Sequence, residues 1–306
     1  MTKKIESKSY VHKLGLGTVQ FGLDYGVSNS AGQTTWAEVE SILDCALAHN
    51  IGTIDTARTY GVSEETIGEF NGGRHLFDIT TKTIPINREI ITKSDIEVVE
   101  AGVLLSLEKL QQDRLYGLLL HHADDLKAKN GRSLYNSLKH FKEEGIVSKI
   151  GVSVYNDEQI DFVLNNFEID LIQVPMNIFD QRLIQSGALR RLNQFGIEIH
   201  VRSAFLQGLV FMKAEELPDN LKRYAPYINE FHNVVNDLGI TPACAALAFL
   251  TQQPEVSKVI CGVNSLAQIE ELIETVSVLP KIESNLFTPV GAEDSSFLNP
   301  ASWRDS

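Results

Sequence analysis

Four side chains that can move a proton occur in the first 121 residues, each at or near the end of an apolar run. Asp55 closes the run GTID, and Tyr60 follows it five residues later, beside a glycine. Lys82 closes the run FDITTK, and the adjacent histidines His121 and His122 come at the end of YGLLLH. A carboxylate, a phenol, an amine and an imidazole are the groups from which general acid–base sites are built.

The phenol gives a reason for the grouping. A tyrosine hydroxyl has an unperturbed pKa of about 10, which is too high for efficient proton exchange near neutral pH. An ammonium group beside it favours the phenolate, and a carboxylate keeps that ammonium charged and in place. An imidazole can hydrogen-bond a carbonyl oxygen and orient it. We therefore interpret the set as a device that protonates a carbonyl while a hydride arrives from another molecule.

Each residue also has an ordinary structural interpretation. An aspartate at a strand end is often a helix cap, and a lysine is usually solvated. A tyrosine beside glycine commonly anchors a loop, and a histidine in an apolar run is often a hydrogen-bonded core residue. Taken singly, these interpretations are preferable. They give way to the catalytic one if successive strands bring all four side chains to one end of a sheet.

Eight short apolar runs have the character of parallel strands covered on both faces. Amphipathic helical patterns separate them, and two of these open with the spacing of a capping box, Thr35 with Glu38 and Ser94 with Glu97. Asn156 and Ser265 are the expected caps of two later helices. The predicted strands lie at 14–18, 52–55, 77–82, 116–121, 150–153, 170–174, 197–201 and 257–261.

Strands that alternate with helices eight times predict an α/β fold, a (β/α)8 TIM barrel, with residues 1–306 as one domain. A doubly wound sheet is the alternative, but GLGTVQFG near the start does not supply a GxGxxG that opens a helix. The reactive face of a barrel is built from the C-terminal ends of its strands. Asp55, Tyr60, Lys82 and a histidine are therefore expected to converge there.

Three segments, GTIDTARTYG, TTKT and LLLHHADD, resemble the signature segments of the aldo-keto reductase family. Members of that family are (β/α)8 barrels that use NAD(P)H. Asp55, Tyr60, Lys82 and His121 match its catalytic Asp-Tyr-Lys-His set in order and spacing. The resemblance implies that Tyr60 is the general acid, that Lys82 and Asp55 tune it, and that His121 orients the carbonyl.

The choice between the adjacent histidines uses strand geometry and the same resemblance. Neighbouring residues of a strand point to opposite sides, so only one of the two faces the reactive end. The family pattern His-x-Pro-Asp fits the segment from His121 to Asp124, with Ala123 in place of proline. We predict that His121, not His122, faces the site.

The resemblance spans nearly the whole chain and implies a cofactor site. LGLGT resembles the first-strand segment, which places Gly17 and Thr18 near the nicotinamide ribose. GVSVYN and LIQVPMN imply that Ser153 and Gln173 bind the carboxamide. Val154 stands where the family usually has an asparagine.

VRSAFLQGL resembles the family segment AYSPLxxGL, which implies that Ser203, Phe205 and Gly208 lie along the pyrophosphate. Arg202 replaces the aromatic residue that usually stacks on the nicotinamide. We predict that Arg202 borders the nicotinamide pocket, as Asp55 does. A substrate group or a nearby carboxylate is the other candidate partner of its guanidinium.

CGVNSLAQIEEL resembles the family's adenosine-phosphate segment, with Gly262, Asn264, Ser265 and Gln268 as the candidate contacts. Members that prefer NADPH commonly place basic residues there, and this stretch has none. Ser265 and Gln268 also have the spacing of a capping box, which accounts for both residues without a ligand. NADPH is the family expectation, and NADH or the use of both is the alternative.

Charge and cysteine content exclude several classes of protein. With 27 basic and 40 acidic residues the net charge is −13, which argues against nucleic acid or an anionic membrane as partner. No apolar run is long enough to cross a bilayer, and no secretory signal is visible. Cys45, Cys244 and Cys261 form no CxxC pair, which predicts a reduced, cytoplasmic setting. The histidines have no zinc-ligand spacing, so we expect no metal site.

We predict a cytoplasmic NAD(P)H-dependent reductase of a small-molecule aldehyde or ketone. One alternative is a barrel aldolase in which Lys82 forms a Schiff base. The other is a non-catalytic, cofactor-sensing subunit of reductase type. The tail 287–306, with Phe297 and Trp303, either covers the mouth or packs outside, and the sequence fixes neither that choice nor the oligomeric state.

Overall fold

Eight parallel strands form a closed barrel in the computed structural model, which describes residues 7–303. Eight barrel strands and two further short strands occur in the described residues. They are β1 (Ser7–Lys8), β2 (Leu14–Gly17), β3 (Thr53–Asp55), β4 (Asp78–Lys82), β5 (Leu115–Leu120), β6 (Val147–Ser153), β7 (Leu171–Pro175), β8 (Glu198–Arg202), β9 (Lys258–Gly262) and β10 (Leu279–Pro280). β2 to β9 pair in sequence order, and β9 pairs with β2 to close the barrel. The short β1 and β10 form a separate antiparallel pair.

The predicted TIM barrel is thereby confirmed. All eight predicted strands are present, and the bounds of seven differ by at most one residue from those predicted. The exception is β6, which begins at Val147 instead of residue 150. Ser148 and Lys149 interrupt the apolar run, yet the strand is already paired there, since Val147 lies opposite Leu115.

Helices connect the strands and cover the outside of the barrel. The α-helices are α1 (Val19–Gly22), α2 (Trp36–Ala48), α3 (Ser63–Asn71), α4 (Lys93–Leu110), α5 (Arg132–Glu143), α6 (Asp157–Asn166), α7 (Arg182–Gln185), α8 (Ala188–Gln194), α9 (Ala225–Leu238), α10 (Pro242–Thr251), α11 (Leu266–Ser277) and α12 (Ser295–Leu298). Short 3-10 helices lie at Val11–Lys13, Ala123–Leu126, Leu206–Phe211, Ala214–Glu216, Asp219–Tyr224, Ser284–Val290 and Pro300–Trp303.

The helix caps agree with the sequence in part. Asn156 and Ser265 cap α6 and α11 as predicted. Thr35 caps α2, but the Glu38 carboxylate accepts the amide hydrogen of Leu266 instead of completing a capping box. Glu38 thus joins the start of α2 to the start of α11.

The capping box predicted from Ser94 and Glu97 is wrong. The box at the start of α4 consists of Thr92 and Asp95, two residues earlier, and the Asp95 carboxylate accepts hydrogen bonds from the Thr92 amide and hydroxyl. Both pairs have the same spacing. Ile90 pairs with Lys129 in an isolated β-bridge, which keeps the chain extended just before the helix and so determines where α4 can begin. A pattern of neighbouring residues cannot predict this tertiary contact.

A polar cluster occupies the N-terminal end of the barrel, opposite the expected reactive face. Glu198 accepts hydrogen bonds from Tyr116 and Lys149, and His200 lies 2.6 Å from its other oxygen. Burial would raise the pKa of Glu198, but hydrogen bonds from His200, Lys149 and Tyr116 lower it to about 2. This carboxylate therefore remains ionised through most of the acidic pH range.

The C-terminal tail packs on the outside of the barrel. Phe297 stacks on Tyr227 of α9 at a centroid distance of 4.9 Å, and the Phe179 carbonyl accepts the amide hydrogen of Ala292. Trp303 is buried, and its indole N–H donates to the Ser296 carbonyl. The tail question left open by the sequence is answered for residues up to 303, which pack outside. Residues 304–306 lie outside the described part of the chain.

No single helix within residues 7–303 combines the length and hydropathy needed to span a membrane. The segments Asp219–Leu238 and Pro242–Thr251 together reach the length and apolar composition of a membrane span, but a 90° bend separates them.

Candidate active site

An ion pair at the C-terminal end of the barrel forms the base of the site. The Lys82 ammonium lies 2.7 Å from the Asp55 carboxylate and donates a second hydrogen bond to the Thr56 carbonyl at 2.9 Å. The Gln173 side-chain amide donates to the other Asp55 oxygen at 2.7 Å. Lys82 has no exposed surface. A charge buried this deeply is tolerated because it is paired and hydrogen-bonded.

The buried ammonium is held in its charged form. Burial, the largest single effect, lowers the pKa of Lys82, but the charges and hydrogen bonds of its partners, Asp55 first among them, together raise it above the ordinary lysine value. The Tyr60 hydroxyl also favours the charged ammonium. The Lys82 nitrogen lies 5.1 Å from the centre of the Tyr60 ring. The structure therefore brings the phenol, the ammonium and the carboxylate together.

Tyr60 sits in a tight turn between β3 and α3. Its amide donates to the Ala57 carbonyl, and its carbonyl accepts from the Ser63 amide. Gly22 lies against this turn so closely that a methyl group at its Cα would be 1.8 Å from the Tyr60 carbonyl oxygen. Close packing of α1 on the turn therefore requires glycine at residue 22 and fixes the tyrosine backbone.

A buried hydroxyl network supports the same turn from behind. Ser63 donates to Thr18 at 2.8 Å and lies 3.2 Å from the Thr56 hydroxyl. The Thr18 hydroxyl donates to the Asp55 carbonyl at 3.0 Å. Thr18 borders the cavity described below, but its hydroxyl is committed to positioning the end of β3. Ser63 was not predicted, and an isolated serine at a helix start carries no signal beyond that of a cap.

His121 lies at the same mouth, directly after β5. Its ring packs edge-on against the Tyr60 ring at a centroid distance of 6.3 Å, and its Nδ1 lies 3.5 Å from the Thr59 hydroxyl. Burial, and next the charge of Lys82, lower the pKa of His121 to about 4. The imidazole is therefore neutral at physiological pH and can offer one N–H to an oxygen. His122 points elsewhere and packs against Tyr155 at 6.4 Å.

A cavity of about 500 Å³ opens over these residues. Asp55, Tyr60 and His121 line it, whereas Lys82 is behind them and does not. Of the residues predicted to contact a cofactor, all but Ser265 line the cavity: Gly17, Thr18, Asp55, Ser153, Gln173, Arg202, Ser203, Phe205, Gly208, Gly262, Asn264 and Gln268. The Ser265 hydroxyl accepts from the Gln268 amide at the start of α11 instead.

Three buried polar atoms of the lining lack a hydrogen-bond partner within the described residues. They are Oε1 of Gln20, Oε1 of Gln173 and Nδ2 of Asn264. Buried polar atoms are usually paired, so an unpaired set around one cavity indicates a polar ligand. A nicotinamide dinucleotide fits this set, because its carboxamide supplies donors for Gln173 and its ribose and phosphate oxygens supply acceptors for Asn264.

Two loops beside the cavity approach each other closely. Gly208 has φ of +92°, and a methyl group at its Cα would meet the Ser28 hydroxyl at 1.7 Å. The Val27 amide donates to the Gln207 carbonyl, so the loop after β2 crosses to the loop after β8. Among residues 7–303 these two loops form the wall of the cavity between its ends. Only glycine permits this approach at residue 208.

Among the residues that the structure describes, no lysine or arginine lines the far end of the cavity. Asn264, Gln268 and Glu271 line it, and the Gln268 side chain accepts the amide hydrogen of Asn264 at 2.7 Å. Glu271 was not predicted. Its carboxylate makes this end neutral to negative, which opposes an additional phosphate group.

Several aromatic residues that line the mouth were also missed, namely Tyr25, Tyr155 and Phe211. Tyr25 and Tyr155 lie in loops and Phe211 ends a short 3-10 helix, and in such segments no period of hydrophobic residues marks which side faces a ligand. Tyr25 accepts a hydrogen bond from the Gln207 side chain at 3.2 Å, and burial raises the pKa of its hydroxyl. The one available signal was the resemblance of VRSAFLQGL to the family segment expected along the pyrophosphate, since Gln207 belongs to that stretch.

The remaining titratable clusters offer no rival centre. No group of three His, Cys, Asp or Glu side chains within the described part of the chain is arranged to hold a metal ion. Cys45, Cys244 and Cys261 are free thiols. Burial raises the pKa of each thiol, and that of Cys261 reaches about 12, so these thiols are poor nucleophiles.

Comparison with known proteins gives a consistent result. The model of the aldo/keto reductase family matches residues 13–286. A probable voltage-gated potassium channel subunit beta from Arabidopsis thaliana is 24% identical over 312 residues, which cover 90% of this chain and 91% of that protein. The aldo-keto reductase YhdN from Bacillus subtilis (strain 168) is 25% identical over 315 residues, which cover 92% of this chain and 93% of the relative.

Solved structures share the architecture. The holo form of the aldo-keto reductase AKR11C1 from Bacillus halodurans superposes with a TM-score of 0.74, at 20% identity, over 92% of each chain. At that identity the match supports the barrel fold and nothing finer.

Proposed function

Because this chain belongs to the aldo/keto reductase family, an NAD(P)H-dependent oxidoreductase family, we propose that it reduces an aldehyde or ketone to an alcohol with Tyr60 as the general acid. The observation that carries the proposal is the fully buried Lys82 ammonium, bound to Asp55 and 5.1 Å from the Tyr60 ring. A positive charge this close to a phenol can stabilise the negative charge that develops on its oxygen when it gives a proton to the substrate.

The residues divide the work of the reaction. A bound nicotinamide supplies the hydride for the carbonyl carbon. The Tyr60 hydroxyl donates a proton to the developing alkoxide, and the Lys82 ammonium stabilises the phenolate left behind. Asp55 holds the ammonium in position, and Gln173 in turn holds the Asp55 carboxylate. His121 is neutral above its lowered pKa of about 4, so it orients the carbonyl oxygen by a hydrogen bond without competing as an acid.

We further propose that NADH is preferred over NADPH. Asn264, Gln268 and Glu271 at the far end of the cavity offer amide donors and a carboxylate, but no cation for a 2′-phosphate. The net charge of −13 adds a field that opposes the more negative cofactor. Gln173 would hold the carboxamide through its unpaired Oε1. Direct titration with each nucleotide tests this preference.

A Schiff-base mechanism at Lys82 is disfavoured by its surroundings. An aldolase lysine must reach a ketone as a free amine. Lys82 does not line the cavity, and Asp55 and the Thr56 carbonyl occupy its donors. The raised pKa of Lys82 also keeps its nitrogen protonated. Borohydride in the presence of ketones is therefore expected to trap no adduct at this residue.

A cofactor-sensing subunit is the second candidate. The similarity to a protein named as a probable potassium channel beta subunit is the observation that favours it. Such a protein would keep the nucleotide cavity and the acid–base set but turn over slowly. Tight NADH binding without turnover across sugar, aliphatic and aromatic aldehydes would support this candidate over the enzyme.

Replacement of Tyr60 by Phe tests the enzyme directly. We expect Tyr60→Phe to lower kcat for aldehyde reduction by about 10²- to 10⁴-fold, because the proton donor is lost. NADH affinity, followed by fluorescence titration, should stay near the wild-type value. Tyr135→Phe is the matched control, since its hydroxyl donates to the Glu168 carbonyl, remote from the cavity. Retained turnover in Tyr60→Phe would refute the assignment of the acid.

A further inference from the structure

We infer that the carbonyl substrate carries a carboxylate and that Arg202 binds it. The inference rests on the proposed reductase function and adds the chemical class of the substrate. Arg202 is the last residue of β8, and its side chain lines the cavity at the end where Tyr60 and His121 lie. Among the residues that line the cavity within the described chain, it is the single lysine or arginine.

The guanidinium is held in a fixed orientation. It lies over the Tyr155 ring at 4.5 Å, and one nitrogen donates to the Val154 carbonyl at 3.1 Å. A second contact, at 3.4 Å, reaches the Ser203 hydroxyl. A guanidinium has five N–H donors, so these contacts leave donors available. Stacking and hydrogen bonding reduce the entropy that would be lost when the remaining donors bind an anion.

No carboxylate within residues 7–303 forms an ion pair with this cation. Every ion pair found within residues 7–303 involves other residues, and Arg202 is in none of them. Arg58, Arg182 and Arg191, by contrast, each bind an Asp or Glu side chain. A half-buried, unpaired guanidinium facing a cavity is costly unless a ligand supplies the counter-charge.

The cation acts on the reaction centre. Arg202, His121 and Tyr25 line the same cavity, and the charge of Arg202 adds to the effect of burial in lowering the pKa of His121. Tyr25 in turn interacts with Tyr60. A substrate whose carbonyl oxygen contacts Tyr60 and His121 therefore has its other end within the field of Arg202.

The cofactor is a poorer partner for Arg202 than a substrate anion. A nicotinamide ring becomes positively charged when it gives up its hydride, and a neighbouring guanidinium disfavours that state. One guanidinium matches the single charge and the fork geometry of a carboxylate. A phosphate ester would bring a second negative charge into the cavity of a chain whose net charge is −13. The aromatic side chains of Tyr25, Tyr155 and Phe211 suit the carbon skeleton between the two ends.

The test compares matched substrates in wild type and in two variants. Succinic semialdehyde carries a carboxylate, 4-methylpentanal is its neutral isostere, and glyceraldehyde 3-phosphate carries the phosphate. We expect the wild type to have a higher kcat/KM for succinic semialdehyde than for 4-methylpentanal. Arg202→Gln should reduce the ratio of these two kcat/KM values by about 10- to 100-fold, mainly by raising the KM for succinic semialdehyde. Arg202→Lys keeps the charge but not the fork, so it should retain part of the preference. Arg190→Gln, an identical change at an exposed position of α8, should retain all of it.

A second measurement does not depend on turnover. Succinate should perturb the fluorescence of NADH bound to the wild type, the neutral diamide succinamide should not, and Arg202→Gln should abolish the difference. The inference is wrong if Arg202→Gln lowers NADH affinity and the turnover of acid and isostere equally, or if the phosphate substrate is preferred. Absence of turnover with all three substrates, while succinate still binds next to NADH, would instead refute the proposed reductase activity and leave the anion site standing.

Discussion

At the scale of single residues, the buried ion pair of Lys82 and Asp55 is the most constrained feature of the molecule. Two opposite charges with almost no exposed surface are tolerable only together. Removing one partner leaves the other as an uncompensated charge in a place of low dielectric. The pair is therefore as important for folding as for the proposed chemistry.

The Asp55→Asn variant should show this in its pH dependence. In the wild type the pKa of Lys82 is raised above 10.5, so the stabilisation is complete below pH 10.5 and is lost as the pH rises through the folded-state value. Without the carboxylate charge, burial lowers the pKa of Lys82, and stability should then increase from pH 7 towards pH 10. At pH 7 we expect a loss of about 3–5 kcal/mol.

Urea unfolding at several pH values measures the effect. Asp219→Asn is the control, because that carboxylate is almost fully exposed in its pair with Lys222 and its replacement should leave the stability close to the wild-type value. If the stability of Asp55→Asn instead falls between pH 7 and pH 10, the explanation by an uncompensated buried charge on Lys82 is contradicted.

The sequence predicted which side chains come together where a residue type is chemically necessary. Asp55, Tyr60 and His121 line one cavity, with Lys82 behind them, as the positions of strand ends required. Roles decided by three-dimensional packing were missed. Glu271 lines the cavity from the side of a helix, and the Thr18 hydroxyl is engaged by Ser63 and by the Asp55 backbone. Neither fact has a counterpart in local residue order.

At the scale of elements, the contact between α3 and α4 depends on a missing side chain. A methyl group on Gly68 of α3 would lie 1.9 Å from the Lys109 carbonyl oxygen of α4. The helices can approach this closely only because residue 68 is glycine. Gly102, in the middle of α4, has no atom within 4 Å of the corresponding position.

Alanine at these two positions should have opposite effects. Gly68→Ala forces the helices apart and should cost about 1–3 kcal/mol in the free energy of unfolding. Gly102→Ala adds helix propensity without a clash and should gain about 0.5–1 kcal/mol. Thermal unfolding of both variants beside the wild type makes the comparison. Equal shifts in the same direction would show that propensity, not packing, governs the pair.

Element boundaries show why part of the fold could not be predicted. The apolar runs predicted the strand positions, and for seven of the eight barrel strands both ends were correct to within one residue. The capping box of α4 was misplaced by two residues, because Thr92–Asp95 and Ser94–Glu97 have the same local spacing. The start of β6 was missed because Ser148 and Lys149 are polar although the strand is already paired.

At the scale of the whole molecule, acid tolerance depends on the polar cluster at the N-terminal end of the barrel. Glu198 has a pKa near 2 in the folded protein against an ordinary value of 4.5. A lowered carboxyl pKa stabilises the folded state above the unfolded value, and this stabilisation is lost as the pH falls from about 4.5 towards 2. The shift corresponds to at most about 3 kcal/mol.

Glu198→Gln isolates this contribution. We expect the variant to be less stable than the wild type at pH 6, and the difference to shrink as the pH falls to 3. Chemical unfolding curves at each pH give the two free energies, and Glu143→Gln, at the exposed end of α5, controls for the change in net charge. A constant difference over this range would mean that Glu198 contributes by packing and not by its charge.

The complete burial of Lys82 makes it a reporter of opening at the end of the barrel. An amine-reactive label can attach to exposed lysines at once, but it reaches residue 82 only when a transient opening exposes the nitrogen and breaks its contact with Asp55. The time course of labelling at this one position, read by peptide mass, would therefore time this transient opening. A bound nucleotide that stabilises the closed site should lower the rate at which Lys82 is labelled.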